Sequence, residues 1–357
     1  MSTIPALPSK RVPYASIPVK LGKSGLKVSR IILGCMTYGA PWCDQDWFLG
    51  EEEAIKHIKY AYDAGVQTFD TANIYSNGLS EEILGKAIKQ LDLPREEIVV
   101  MTKFTGYVSP RREEFLRNPK EFEEKLRCVN QYGGSRKHIF HAVQDSLKRL
   151  QLDYIDVLQD HARITCKSTN DQMEALHDVV KAGWVRYIGL SSCYAWEYYA
   201  ITNRLTPFIS MQDHHSLIYR EEEREMFPTL KYFGVSAIPW SPLGRGLLCR
   251  PFREQAATKR ATTDWVSEMY QDIPALKAII DRSVVEELSK KKGVSMAQIA
   301  IAWELSKDVV AAPVVGTTSL ENLKDLLEGV HLKLTDDEIK YLEEPYVPVK
   351  TMGFQVS

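Results

Sequence analysis

Gln67-Thr68-Phe69-Asp70 is a short extended run that leads, through a turn, into Ser80-Glu81-Glu82-Ile83-Leu84-Gly85-Lys86-Ala87-Ile88-Lys89-Gln90-Leu91 and then into Ile98-Val99-Val100-Met101-Thr102. The outer runs are short, rich in β-branched and apolar residues and bounded by turns, as buried strands are. The middle run is longer and amphipathic, as a helix packed on a sheet is. Strand, helix, strand is the unit that joins parallel neighbours by a crossover.

Outward from this stretch the same alternation recurs from Val28 to Glu328. Strands are expected at Val28–Leu33, Gln67–Asp70, Ile98–Thr102, Ile155–Gln159, Val185–Gly189, Ile209–Gln212, Val235–Pro239 and Val309–Val315. Helices are expected at Glu51–Ala64, Ser80–Leu91, Ser135–Leu150, Asp171–Ala182, Ala195–Arg204, Glu222–Tyr232, a long region Pro274–Ser306, and Ser319–Glu328. Eight strands each followed by a helix predict an α/β fold, a single (β/α)8 TIM barrel. A doubly wound sheet would carry a glycine-rich first turn, and no G-x-G-x-x-G opens a helix; Gly244-Arg245-Gly246 lacks the third glycine, and there is no Walker A motif. Ile17 to Val28 reads as an amino-terminal hairpin able to plug the barrel. Long loops follow strand three (Tyr107–Gly134) and strand seven (Ser241–Ile273). The expected organisation is an extension over residues 1–16, a barrel over 17–346 and a tail over 347–357.

The 357 residues are 44% hydrophobic and 26% charged, the balance of an ordinary globular protein with one large core. Forty-five basic against 47 acidic residues leave a net charge of −2, so no basic field recruits nucleic acid or an anionic membrane. No apolar run is long enough to cross a bilayer, and the amino end has no apolar signal core. Six well-separated cysteines with no C-x-x-C pair argue against a disulfide framework or zinc ribbon, so a cytoplasmic protein with reduced thiols is expected.

The residues that close the strands carry the chemistry, because they converge on the barrel face where such enzymes work. Strand two closes on Asp70, strand three on Lys103, strand four on Gln159-Asp160-His161. Strands five to eight close on Ser191-Ser192, Gln212-Asp213, Trp240-Ser241 and Gly316-Thr317-Thr318. Each alone has a structural explanation, as a cap, a solvated charge or a core ring. An acid, a base and a histidine on three consecutive strand ends point to catalysis.

In these residues the chain resembles the aldo-keto reductase family. Phe69-Asp70-Thr71-Ala72-Asn73-Ile74-Tyr75 is similar to the family's F-D-T-A-x-x-Y, and Gly78 to Gly85 to its G-x-x-E-x-x-L-G. Val100-Met101-Thr102-Lys103, Ile188 to Ser192, Ile238 to Gly246 and Pro313 to Thr318 also fit. The likeness covers about residues 18 to 346, and its wording is nearest to fungal reductases grouped with aryl-alcohol dehydrogenases.

The resemblance implies reduction of aldehydes or ketones to alcohols by hydride transfer from NADP(H), with Asp70, Tyr75, Lys103 and His161 catalytic. Tyr75 would give the proton, Lys103 would favour its ionised form, Asp70 would hold Lys103, and His161 would donate to the substrate oxygen. The cofactor would lie extended, without a Rossmann domain. Ser191, Ser192 and Gln212 would hold its carboxamide and Trp240 would stack on its ring. Ser241, Leu243 and the Gly244 to Gly246 loop would approach the pyrophosphate, and Arg260 and Asp264 lie in a loop that in relatives folds over it, with Gly316, Thr317, Thr318 and Asn322 at the last helix start beyond. Where many relatives carry lysine after the Gly-Thr-Thr turn this chain has Ser319, so no cation of that segment meets a 2′-phosphate. Met36, Tyr38, Trp42 and Tyr107, with Trp47 nearby, are expected to wall a pocket for flat aromatic substrates.

Three stretches depart from the family pattern: Ala162-Arg163-Ile164-Thr165 after His161, Asp160 itself, and Asp213-His214-His215-Ser216. A metal-dependent hydrolase built on Asp70, His161, Asp213, His214 and His215 is a rival. It lacks the H-x-H usual on strand one, and adjacent histidines on a strand end point to opposite sides, so no metal is expected. A cofactor-sensing regulatory subunit of the same fold, like potassium-channel β-subunits, is the second rival. The expected partner is a small carbonyl or alcohol substrate; monomer and homo-oligomer both stay open.

Overall fold

The computed structural model describes residues 18–40, 47–111, 128–161, 170–192, 200, 202–257, 260, 263, 264, 270, 276–281 and 284–351. The expected wall residue Trp42, most of the expected helix Ala195–Arg204, the amino-terminal extension and much of the two long loops lie outside them.

An antiparallel hairpin of β1 (Val19–Lys20) and β2 (Lys27–Val28) opens the described chain. Eight parallel strands follow: β3 (Ile32–Gly34), β4 (Thr68–Asp70), β5 (Val99–Lys103), β6 (Ile155–His161), β7 (Val185–Ser191), β8 (Phe208–Met211), β9 (Ser236–Ala237) and β10 (Val314–Val315). They pair in the order β10-β3-β4-β5-β6-β7-β8-β9. The ring is closed by parallel bridges Ala237↔Val310 and Trp240↔Val314, with Ala311 N–H donating to Ala237 O at 2.9 Å and Val314 N–H to Pro239 O at 2.8 Å. The fold is the expected (β/α)8 barrel.

Helices α1 (Glu51–Asp63), α2 (Leu79–Gln90), α3 (Arg136–Leu150), α4 (Asn170–Lys181) and α5 (Met226–Phe233) follow β3, β4, β5, β6 and β8. Local chemistry fixes their ends. Ser135 caps α3 by accepting from His138 N–H, and Glu51, Glu52 and Glu53 meet the positive end of α1. Within the long helical region Pro274–Ser306 the described helices are α6 (Leu276–Asp281), α7 (Val284–Lys292) and α8 (Met296–Glu304). Gly293 takes φ +67° and Ser295 caps α8, so the chain stops and restarts there. Helix α9 (Leu320–Glu328) follows β10, and α10 (Asp336–Glu343) is an addition that the strand-helix count did not anticipate.

Two apolar layers result. Inside the barrel Leu21, Ile32, Val99, Met101, Val157, Ile209 and Ile238 pack together; outside it Leu33, Phe69, Val100, Leu158 and Ile188 pack under the helices. Alternate residues of each strand therefore face opposite layers, as the pleat requires. The hairpin seals the amino-terminal end: Gly22 N–H donates to Ser236 Oγ at 2.8 Å and Lys23 N–H to Gly234 O at 2.8 Å. Gly22 has φ +55°, and a Cβ there would run into the Gly234 carbonyl. Gly22→Ala should therefore lower the unfolding free energy by about 1–3 kcal/mol in urea titrations, an unchanged midpoint showing that the plug contributes nothing.

Candidate active site

The carboxyl ends of the strands open into a cavity of about 590 Å³. Its floor is built by register. Asp70 ends β4, Lys103 ends β5 beside Gln159 of β6, and His161 of β6 stands opposite Ser191 of β7. Lys103 has no exposed surface, and its Nζ donates to Asp70 Oδ2 at 2.6 Å, to Thr71 O at 2.9 Å and to Tyr75 Oη at 3.3 Å. Burial opposes the ammonium, but the Asp70 carboxylate and the Tyr75 oxygen outweigh it and raise the Lys103 pKa, so the side chain stays charged. Asp70 Oδ1 accepts from Gln159 Nε2 at 2.7 Å and from Gln212 Nε2 at 3.0 Å. The His161 ring meets the Tyr75 ring edge-on, centroids 6.0 Å apart, and both line the cavity.

The turn that carries Tyr75 is held in an unusual shape. Ser76 and Asn77 have φ +47° and +52°, a region that side chains rarely adopt. Asn77 Oδ1 accepts from Ser109 N–H at 2.8 Å, and Asn73 Nδ2 donates to both Phe104 O and Gly106 O at 2.8 Å. These bonds tie the Tyr75 turn to the loop after β5. Ser192, Ser241 and Arg245, also in the cavity wall, have positive φ as well. Such clustering of backbone strain is a property of functional sites.

Of the departures from the family pattern, Ala162 to Thr165 lie outside the described residues, and the other two have separate structural roles. His214 lies between Tyr219 and Trp240, its ring stacked at 4.2 Å and 4.3 Å from theirs, so the Trp240 indole is backed by a layer of rings. His215 points elsewhere: Nδ1 meets Glu304 Oε1 at 2.6 Å and Nε2 meets Glu223 Oε1 at 3.0 Å, against the face of Trp303. The two histidines do not converge, as the strand pleat predicted. Asp213 is fully buried, and burial pushes its carboxyl up to about 7. Asp160 turns away from the cavity, accepting from Thr105 Oγ1 at 2.6 Å and from Gln172 Nε2.

Away from the floor, Ser191, Ser192, Gln212, Trp240, Ser241, Leu243, Gly246, Gly316, Thr317, Thr318 and Asn322 all line the same cavity. Arg260 lines it too, its Nε 3.2 Å from Asp264 Oδ2 and its guanidinium 4.7 Å from the Trp47 ring centroid. Arg245, 2.6 Å from the same carboxylate oxygen, and Arg250 join the wall; neither had been singled out as a site residue. The signal was present in Gly244-Arg245-Gly246, a loop expected beside the pyrophosphate in which the glycines, and not the Arg245 side chain, were named. Ser319 caps α9 by accepting from Asn322 N–H at 3.3 Å.

Of the expected substrate wall, Met36 is in place, joined by Trp47, Phe48 and Ile74. Tyr38 is not: it has no exposed surface and packs edge-on against His57 behind the wall. Tyr107 is half-buried and likewise outside the cavity lining.

The sequence profile of the Aldo/keto reductase family matches residues 30–346. The chain belongs to the aldo/keto reductase family. With that membership comes the class of carbonyl-reducing oxidoreductases that use nicotinamide cofactors. Its relatives include a Schizosaccharomyces pombe protein named as a candidate aryl-alcohol dehydrogenase, 48% identical over 93% of this chain and 96% of its own. The versiconal hemiacetal acetate reductase of Aspergillus parasiticus is 46% identical over 92% and 96%. Among solved structures, the holo form of aldo-keto reductase AKR11C1 from Bacillus halodurans superposes with a TM-score of 0.71 at 25% identity, covering 95% of this chain and 99% of that one.

The buried His215 pair gives a pH signature in stability. Burial works against its charge, but Glu304 and Glu223 outweigh burial and raise its pKa. A histidine that binds its proton more tightly when folded contributes stability that is complete below about pH 6.5 and is lost as pH rises through the folded value. His215→Gln should cost about 3 kcal/mol at about pH 6 and less at about pH 9 in paired denaturation curves. Equal losses at both pH values would contradict a charged pair.

Proposed function

We propose that this protein is an NADP(H)-dependent reductase that converts aldehydes and ketones to alcohols, with a preference for aromatic aldehydes. The observation that carries the reading is the Lys103 ammonium, held between Asp70 and the Tyr75 oxygen, two residues that line the cavity. NADPH, when bound, supplies the hydride. The residues around the nicotinamide end are an aromatic face, Trp240, and three polar groups, Ser191, Ser192 and Gln212. The outer wall holds three guanidiniums, Arg245, Arg250 and Arg260, against the carboxylates of Asp264 and Asp325. That excess of positive charge suits phosphates, and it supplies the cation that the Ser319 segment lacks. Thr317, Thr318, Asn322 and the start of α9 add hydrogen-bond donors.

Substrate would enter between Met36, Trp47, Phe48 and Ile74, a largely apolar wall. Its oxygen would lie within reach of Tyr75 Oη and His161. As the carbonyl carbon gains hydride, its oxygen gains negative charge and takes the proton of Tyr75. Lys103, already charged and fixed, stabilises the phenolate left behind. His161 donates to the same oxygen. In the reverse direction the phenolate is the base that deprotonates an alcohol. The aryl-alcohol dehydrogenase name borne by a relative at 48% identity supports the aromatic preference.

Tyr75→Phe should retain NADPH binding within about twofold but lose carbonyl reduction by roughly 10²-fold or more, because general acid catalysis is worth that much. Stopped-flow oxidation of NADPH with benzaldehyde checks it; near wild-type turnover would remove Tyr75 from the chemistry. A screen of NADPH and NADH oxidation over aromatic and short aliphatic carbonyls tests the wider reading. The expected result is NADPH oxidation with benzaldehyde-type substrates at the highest kcat/KM. Tight NADPH binding without turnover on any carbonyl would instead favour a cofactor-sensing role.

A further inference from the structure

Gln159 sits near the carboxyl end of β6 with no exposed surface, in register with Lys103 on one side and Gly189 on the other. Gly189 makes room for it: a Cβ there would approach Gln159 Cγ to 3.3 Å and Ser210 Oγ to 2.6 Å. Gln159 does not line the cavity, so it meets neither substrate nor cofactor. A buried amide is retained at a cost unless its hydrogen bonds are made, and these are made to Asp70 and Gln212. Gln159 Nε2 donates to Asp70 Oδ1 at 2.7 Å, and Gln159 Oε1 accepts from Gln212 Nε2 at 3.1 Å. Gln212 Nε2 also donates to Asp70 Oδ1, at 3.0 Å.

This triangle dictates how the Gln212 amide points. An ionised carboxylate only accepts, and Asp70 is paired with an ammonium through its other oxygen. Reversing the Gln212 amide would set its oxygen against Asp70 Oδ1 and Gln159 Oε1, three acceptors with no proton among them. Its NH2 must face inward, so its carbonyl oxygen is turned from Asp70 in a side chain that lines the cavity.

We propose that Gln159 is a positioning residue that ties the Asp70–Lys103–Tyr75 group to the nicotinamide end of the cavity. Clamping Asp70 Oδ1 and Gln212 Nε2 together, it makes Gln212 offer an acceptor and so selects a ring that carries an amide N–H. The inference rests on the reading of the cavity as a nicotinamide-cofactor site. The same aspartate that fixes the lysine thereby fixes the polarity of the ring's seat.

The test is equilibrium binding, by fluorescence quenching, of three ligands: NADP+, its nicotinic acid counterpart, and 2′-phospho-ADP-ribose, which lacks the ring. Wild type should bind the amide form at least about tenfold more tightly than the acid form, a hydrogen bond to the ring amide against two acceptors in contact. In Gln159→Met this preference should fall to about threefold or less, while 2′-phospho-ADP-ribose binds within about twofold of wild type. Gln159→Met should add less than about twofold to the loss already caused by Gln212→Met, because the two act through one contact. Independent, multiplying losses would overturn the proposal, as would a preference unchanged in Gln159→Met. Should Gln159→Met fail to fold, equal wild-type binding of the amide and acid forms would still overturn it. If wild type binds the ring-free ligand and neither ring form, the cofactor reading fails, and the inference with it.

Discussion

The Lys103 ammonium lies in a barrel whose interior below it is filled by Leu21, Ile32, Val99, Met101 and Val157, so nothing beneath it can solvate a charge. Removing an ammonium from water costs several kcal/mol, recovered only when a counter-ion and further hydrogen bonds meet it in good geometry. Here three oxygens do so: Asp70 Oδ2, Thr71 O and Tyr75 Oη. Asp70 is itself nearly fully buried, and its remaining oxygen takes two amide donors. The barrel's upper layer is thus a polar network on an apolar base, and every member depends on the others being in place.

From that network the rest of the site extends in two directions. Toward substrate, the Tyr75 turn keeps two consecutive left-handed residues, held by Asn73 and Asn77 against the loop after β5. Freedom lost there is what leaves the Tyr75 oxygen within reach of Lys103. Toward the opposite end, Gln212 passes from Asp70 to the cavity wall, Trp240 is backed by His214 and Tyr219, and Arg245 and Arg260 share Asp264. Two cations on one carboxylate leave the outer wall positive, and burial, with Arg245 close by, lowers the Arg260 pKa.

Much of this was legible because alternating periods mark strands and helices, and parallel register then puts the strand-closing residues on one face. Asp70, His161, Ser191 and Gln212 reach the cavity for that reason, and Lys103 lies buried directly behind Asp70 and Tyr75, which line it. Boundaries were less legible. Val28 was read both as the end of the hairpin and as the start of strand one; it pairs with Val19 in the hairpin, and the first barrel strand begins only at Ile32. Val309 to Val315 reads as one strand, but Pro313 lacks an N–H and only Val314–Val315 join the sheet with Ile32 and Leu33. Helix α10 had a local signal that went unused, the capping box of Thr335 and Glu338. Tyr38 and Tyr107 were placed by proximity to strand ends; aromatic rings there serve packing as readily as binding. Gln159 was legible as a strand end but not as a partner of Asp70, since the contact spans residues far apart in the chain.

On the proposed function, the charge at Lys103 would lower the barrier to hydride transfer without holding the cofactor. Single-turnover stopped-flow of Lys103→Met, preloaded with NADPH and mixed with an aromatic aldehyde, separates the two. The account predicts an NADPH dissociation constant within about twofold of wild type and a hydride-transfer rate at least roughly 10²-fold lower. A transfer rate close to wild type in that variant would contradict it.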